Sequence, residues 1–338
     1  MSGGVDSSVA AALLKEQGYE VEGVTMRLLS PDGIDEAIVG ASAVCEKLGI
    51  AHRTVEAHED FRTAVIRSFA TEYLNARTPN PCVVCNEHIK FGLLWDWMVE
   101  NDFDYLATGH YAATDGVHLK RPHDKNKDQT YFMYRIDRSR LARILFPLAD
   151  WLKDEVRAYA LRHGLLTRTT DESQDACFVS GKDRSEIIES IDLGTDLPGD
   201  IVTADGAVVG THEGITRYTI GQRHGLGVGG QSEPLYVIGL DAASDRVIVG
   251  SRTEGMIRVI EGDDIVIDTS AFEDPEGPWD VMAQARYNMR PRPATLEIDR
   301  GRLSVDMHTE QIGISPGQSI VCYREDIVIA GGVISCTR

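Results

Sequence analysis

The chain has 338 residues with ordinary globular proportions, 42% hydrophobic and 26% charged, which is enough for two or three domains. No apolar run is long enough to span a bilayer and no signal peptide precedes the first motif, so a cytoplasmic protein with no membrane partner is expected. A net charge of −19 argues against nucleic acid at first sight, and six cysteines are too few for a disulfide scaffold, which turns them toward redox or metal roles in a reducing compartment.

The chain opens on Ser2-Gly3-Gly4-Val5-Asp6-Ser7-Ser8 and runs straight into an apolar helical pattern, Val5, Val9, Ala12, Leu13 and Leu14. Glycines let backbone approach a ligand closely, and the free N–H groups of a first helical turn, with the positive end of the helix dipole, bind an anion. The string is neither a Walker loop nor the dinucleotide fingerprint. A Gly-rich turn with a serine N-cap is the bland alternative. The six residues Ser2–Ser7 together resemble the PP-loop of ATP pyrophosphatases, which split ATP into AMP and pyrophosphate while activating a carbonyl oxygen. In that superfamily a hydrophobic strand precedes the loop; the sequence here begins inside it, so the resemblance implies that a first core strand is missing from this chain.

A first helix over 6–18 stops at Gly18, and Glu20–Leu28 alternates as a strand with Met26 near its carboxyl edge, where parallel sheets bind ligands. A helix over Asp35–Leu48 and a strand over Ala51–Val55 follow; this alternation implies an α/β sheet with right-handed crossovers. Phe61–Leu74 is expected to be helical. Residues 75–86 carry Pro79 and Pro81, which speak for a stiff loop and against helix, and end in Cys82-Val83-Val84-Cys85. Helix returns over 87–100 on a stripe of Ile89, Leu93, Leu94 and Trp97, which puts Cys85 beside a helix N-terminus, a setting that favours thiolate.

A short strand over Tyr105–Thr108 leads to Gly109 and His110, and residues 112–121 read as a hairpin about Asp115-Gly116. Lys127-Asp128-Gln129 is expected to open an amphipathic helix to about Arg135, with Asp128 as N-cap. From Lys120 to Arg143 there are eight Lys and Arg against three Asp, a local excess of +5, and Arg286–Pro293 holds three Arg and no acid. Phosphate binding follows such clusters rather than the total, although two solvated faces explain the charge equally well. A helix over Lys153–His163 ends at Gly164, and Glu172–Phe178 is a polar loop carrying Cys177.

Beyond a helix near Arg184–Ile191, helical periodicity vanishes. Short apolar alternations at Ile201-Val202, Tyr218–Ile220, Tyr236–Ile238, Val247–Val249 and Ile257–Ile267, with more to the end, suggest small β-barrels. The expected organisation is an α/β domain over 1–191, a central β domain over 192–255 and a β-barrel over 256–338. Cys45 within a helix pattern, and Cys322 and Cys336 within strands, read as packing residues.

Taken in order, the PP-loop, Thr78–Asn86, Thr108–Ala112, Lys127–Gln129, Cys177, Tyr218–Arg223, Ala285–Tyr287 and Ser315–Gln318 resemble the bacterial tRNA-specific 2-thiouridylases over the whole chain. That resemblance implies a parallel-sheet PP-loop domain of the adenine-nucleotide α-hydrolase kind followed by two small β-barrel-like domains. The implied reaction replaces the C2 oxygen of a tRNA wobble uridine by sulfur, with ATP and Mg²⁺ as cofactors. Ser2, Gly3, Gly4, Val5, Asp6, Ser7 and Ser8, with Met26 and Gly109, would bind ATP. Asn80, Pro81 and Cys82 would line a flipped-out base. His110, Lys127, Asp128, Gln129, Arg286, Tyr287 and Gln318 match tRNA-contacting positions. Cys85 and Cys177 match the catalytic pair: a sulfur-donor protein loads Cys177 with a persulfide, and Cys85 completes transfer through a transient disulfide. A second route stays open, because Cys82, Cys85 and Cys177 are also a ligand set for a 4Fe–4S cluster that carries the sulfur. The competing functions are another PP-loop adenylating enzyme of the carbon–nitrogen ligase type, which needs no paired cysteines, and a tRNA-recognition module without catalysis.

Overall fold

Gly4 ends the opening loop in an extended conformation, and α1 (Val5–Glu16) starts directly behind it, its middle built from the strong helix formers Ala10, Ala11 and Ala12. The computed structural model describes residues 1–29, 35–165, 176–179, 184–191, 193–194, 196–229, 233–272 and 277–338. The chain divides into two units. The first holds Met1–Val65, Cys82–Gln174 and Asp326–Val328; the second holds Ile66–Pro81, Asp175–Glu325 and Ile329–Arg338.

In the first unit, β1 (Glu22–Arg27) and β2 (Ala51–Glu56) pair in parallel, Glu22 opposite Ala51 through Arg27 opposite Glu56. The crossover is α2 (Glu36–Leu48), capped by the Asp35 carboxylate, which accepts from the Ala37 amide at 2.9 Å. The expected Phe61–Leu74 helix is instead three pieces: α3 (His58–Phe61), a π-helical turn Arg62–Ile66, and α4 (Arg67–Leu74). The loop expected over 75–86 is shorter than its prolines suggested. Helix begins at Pro81, as α5 (Pro81–Val84), because proline's fixed φ and missing N–H are harmless in a first turn. It continues as a π-helix over Cys85–Leu93 and closes as α6 (Leu94–Glu100).

Beyond it, β3 (Leu106–Ala107) lies parallel to β6 (Ile144–Leu145), and between them β4 (Ala113–Thr114) and β5 (Leu119–Lys120) form the hairpin expected at Asp115-Gly116. The helix expected from Lys127 to Arg135 is only a 3₁₀ turn, Thr130–Phe132, and its N-cap is Gln129 rather than the expected Asp128; the Asp128 carboxylate accepts from the Thr130 amide at 2.9 Å in the loop just before it. The next helix, α7 (Lys153–Arg162), packs Val156 and Ala160 against Val9 and Leu13 of α1 in a core with Val44, Tyr111 and Leu148. Burial of this face, at about 25 cal/mol per Å², holds the opening loop on a rigid base.

In the second unit, α8 (Arg184–Glu189) precedes a sheet of β7 (Gly199–Thr203), β8 (Val208–His212), β9 (Tyr236–Asp241) and β10 (Arg246–Gly250), ordered β8-β7-β10-β9 around Ile201, Val237, Val247 and Val249. Tyr218–Ile220, expected as a strand, is irregular chain after a 3₁₀ turn at Ile215–Arg217. The last strands are β11 (Met256–Ile267), β12 (Trp279–Gln284), β13 (Arg292–Asp299), β14 (Arg302–Ile312), β15 (Ser319–Arg324) and β16 (Ile327–Thr337). They run in the order β11-β14-β13-β12-β15-β16, and β11 pairs with β16 to close a six-stranded barrel. Cys45 and Cys322 are buried as expected, and burial pushes the Cys322 thiol up to about 12; Cys336 is exposed, so it is not a packing residue. Glu172–Asp175 of the loop before Cys177, and the expected boundary at 192, lie outside the described residues.

Candidate active site

The opening loop is folded on itself by its serines. Ser2 Oγ and Ser7 Oγ lie 3.2 Å apart, and Ser7 and Ser8 hydroxyls donate to the Gly4 carbonyl at 3.1 and 2.9 Å. No side-chain hydrogen bond caps α1, and uncapped first-turn amides are groups that can bind an anion. Gly3 sits at φ +69°, where a Cβ would meet the Ala37 carbonyl at 2.9 Å. Gly109 packs onto the same turn: a Cβ there would lie 2.7 Å from both the Asp6 carbonyl carbon and the Ser7 nitrogen. Gly109 therefore sets how β3's end meets the loop. Met26 is half-buried near the carboxyl end of β1.

Asp6, on the first turn of α1, is held by residues that the sequence did not single out for this role. Lys153 Nζ donates to both Asp6 oxygens at 2.7 Å, and Tyr111 Oη donates to Asp6 Oδ1 at 3.3 Å. The sequence signal for Lys153 was its position: a lysine in the first turn of a helix opposes the dipole.

Cys82 is half-buried and Cys85, one turn on, is buried. Cys85 is thus the first residue of a π-helix inside a continuous helical run, not a residue beside a helix start. The wide turn is admitted by Gly92, whose Cβ would stand 2.8 Å from the Glu87 carbonyl. Three anchors hold this segment. Asn86 Nδ2 donates to the Phe132 carbonyl at 2.9 Å, Arg135 forks onto Glu87, and Arg140 donates to the Phe91 carbonyl. Asn86 Oδ1 is buried with no hydrogen-bond partner among the described residues.

The remaining candidates of the first unit are largely occupied. His110 is half-buried, its Nδ1 2.9 Å from Thr108 Oγ1 and its Nε2 3.3 Å from Lys90 Nζ. Burial, and then the Lys90 charge, hold its pKa well below the ordinary 6.5, so the ring is neutral. Asp128 pairs with Arg121 at 2.6 Å, and the Gln129 side chain accepts from the Tyr111 amide at 2.8 Å. Lys127 is half-buried. The basic stretch is similarly spent: Lys120, Lys125, Arg135 and Arg140 pair with Asp115, Asp326, Glu87 and Asp137.

Cys177, Asn80, Pro81, Arg286, Tyr287 and Gln318 belong to the second unit. Cys177 is exposed, while its neighbour Phe178 is buried edge-on against Phe69. Arg286 and Tyr287 are exposed on a turn that Gln284 holds from below, Nε2 donating to their carbonyls at 3.1 and 2.9 Å. Gln284 Oε1 in turn accepts from Tyr323 Oη at 3.1 Å. Gln318 Nε2 donates to the Thr78 carbonyl at 3.3 Å, two residues before Asn80. Among the described residues no group of three or more His, Cys, Asp or Glu is placed to hold a metal ion. No described helix is long and apolar enough to cross a membrane.

Comparison with known proteins gives three consecutive family matches. Residues 1–181 match the tRNA methyl transferase HUP domain, 191–251 the tRNA methyl transferase PRC-barrel domain, and 266–334 the aminomethyltransferase beta-barrel domain. The tRNA-specific 2-thiouridylase MnmA of Pelobacter propionicus is 42% identical over 99% of this chain and 96% of its own length. The protein of the same name from Pelotomaculum thermopropionicum is 40% identical over 100% and 96%. Among solved structures, the U34-tRNA thiolase NcsA of Methanococcus maripaludis, with its 4Fe–4S cluster, aligns at 21% identity over 56% of this chain and 62% of its own, with a TM-score of 0.35. That structural likeness is too loose to carry an argument, but the full-length identities are not, and they agree with the PP-loop, the barrel and the cysteines: the chain belongs to the tRNA-specific 2-thiouridylase family.

Proposed function

We propose that this protein catalyses ATP-dependent 2-thiolation of the wobble uridine of tRNA. The observation that carries the reading is the full-length match, near 40% identity, to proteins of that name by a chain that keeps both the PP-loop and its two separate cysteines. The words methyl transferase in two family descriptions fit these residues less well, since methyl transfer has no use for a pyrophosphate cradle.

A uracil carbonyl oxygen is a poor leaving group. The C2 oxygen attacks the α-phosphorus of ATP bound at Ser2–Ser8, pyrophosphate departs toward the α1 amides, and O–AMP becomes the leaving group. The terminal sulfur of a Cys177 persulfide then attacks C2 and displaces AMP. The Cys85 thiolate attacks Cys177 Sγ, the S–S bond to the base breaks, the base keeps a C2 thione, and a Cys85–Cys177 disulfide remains for an external thiol to reduce. Mg²⁺ would neutralise the triphosphate, and Asp6, the loop's carboxylate, would hold it once Lys153 releases an oxygen. A sulfur-donor protein reloads Cys177, and the setting is the cytoplasm, where tRNA and thiol reductants meet. Arg286, Tyr287, Gln318, Asn80 and Pro81 are assigned to tRNA, as are His110, Lys127, Asp128 and Gln129, the last two through the loop they brace.

A 4Fe–4S cluster on Cys82, Cys85 and Cys177 is the other sulfur carrier. The test is pyrophosphate release and thiouridine formation with unmodified tRNA, for the wild type and Cys85→Ser. Release that needs tRNA and persists in the variant, with thiouridine abolished, supports the reading; tRNA-independent release hands it to the ligase type. Iron and visible absorbance in anaerobically purified protein would favour the cluster.

A further inference from the structure

Lys153 is buried, 8% exposed, yet it stands at the first residue of α7, where the helix dipole disfavours a cation. Its backbone is fixed there, since the Lys153 amide donates to the buried Asp124 carboxylate at 3.0 Å. Its ammonium crosses to α1 and sits 2.7 Å from both oxygens of Asp6, 147 residues away, over the Tyr111 ring at 5.6 Å. Asp6 is the one carboxylate of the opening loop and lies in the first turn of α1, which no side-chain hydrogen bond caps. Left alone, that carboxylate would repel a polyphosphate arriving at the same turn. A sequence that only needed to clamp α1 to α7 already does so through Val9, Leu13, Val156 and Ala160. A buried cation placed against its own helix dipole is a local rule broken, and such breaks collect where ligands bind.

We propose that Lys153 is a phosphate-binding residue of the ATP site: it neutralises Asp6 in the empty protein and turns its ammonium to the triphosphate when nucleotide binds. This rests on the ATP-dependent reading above. The ligand class is a nucleoside triphosphate; a nucleoside without phosphates gains nothing from Lys153.

The test is direct binding of ATP and of adenosine without Mg²⁺, on the full chain, for the wild type, Asp6→Asn, and the double variant Asp6→Asn with Lys153→Met. The double variant leaves no unpaired buried charge, so it folds where Lys153→Met alone fails to. Against Asp6→Asn, the double variant is expected to bind ATP roughly tenfold to a hundredfold more weakly, the effect of losing a charge-assisted contact, with adenosine unchanged. Equal losses for ATP and adenosine make Lys153 a structural clamp, and an undiminished ATP affinity makes it a partner of Asp6 alone; either overturns the proposal. A wild type that binds neither ligand overturns the proposed function itself.

Discussion

Arg135 and Glu87 meet as a two-point ion pair, Nε to Oε2 at 2.5 Å and Nη2 to Oε1 at 3.1 Å, with 14% and 25% of their side chains exposed. The pair ties the chain after the 3₁₀ turn to the second residue beyond Cys85. A forked, mostly desolvated guanidinium–carboxylate contact is among the stronger polar links a protein makes. Arg135→Gln is therefore expected to cost about 1–3 kcal/mol of stability in denaturant melts and to slow thiouridine formation while leaving ATP affinity intact. Unchanged turnover at reduced stability would show that the pair supports the fold alone.

Gly92 is where the π-helix is vulnerable. A methyl group 2.8 Å from the Glu87 carbonyl cannot be accommodated without narrowing or shifting the wide turn that begins at Cys85. Gly92→Ala is expected to destabilise by about 1–3 kcal/mol despite alanine's better helix propensity, and to alter the rate at which Cys85 reacts with a thiol reagent. A stabilised variant with wild-type thiol reactivity would falsify the assignment.

His110 supplies a pH dependence. Its folded pKa lies well below the unfolded value, so between the two the unfolded chain binds the extra proton. Stability is then fully present above about pH 6.5 and falls as pH drops through that value toward the folded pKa. The wild type should lose stability between pH 7 and 5, and His110→Gln should lose less over the same range. Parallel pH profiles for the two proteins would contradict the burial argument.

Gln284 is 6% exposed and spends its amide nitrogen on the turn that presents Arg286 and Tyr287 and its amide oxygen on the Tyr323 hydroxyl. Gln284→Leu removes the hydrogen bond from the Tyr323 hydroxyl and both bonds to the turn carbonyls, at a cost of about 1–3 kcal/mol. Filter binding should show a several-fold weaker tRNA complex, while ATP affinity, proposed to reside at Ser2–Ser8, stays as it was. A tRNA affinity equal to wild type would remove Arg286 and Tyr287 from the tRNA surface.

Much of the first unit was legible in the residue order because the relevant forces are short-ranged. The opening glycines before an apolar helical run, the strands expected over Glu20–Leu28 and Ala51–Val55, and the Asp115-Gly116 hairpin each depend on neighbours a few residues away. The order of motifs from Ser2 to Gln318 likewise identified the family. Tertiary structure decided the rest, because it depends on partners far along the chain. Proline at 81 looked like a breaker until the helix began on it. The π turn at Cys85 exists through Gly92 and contacts from Phe132, Arg135 and Arg140, and the basic excess of Lys120–Arg143 is largely consumed by carboxylates that folding brings to it. Most of all, nothing local to residue 6 or residue 153 foretells that their charges lie 2.7 Å apart; only the packing of α1 on α7, driven by apolar burial, places the cation on the loop.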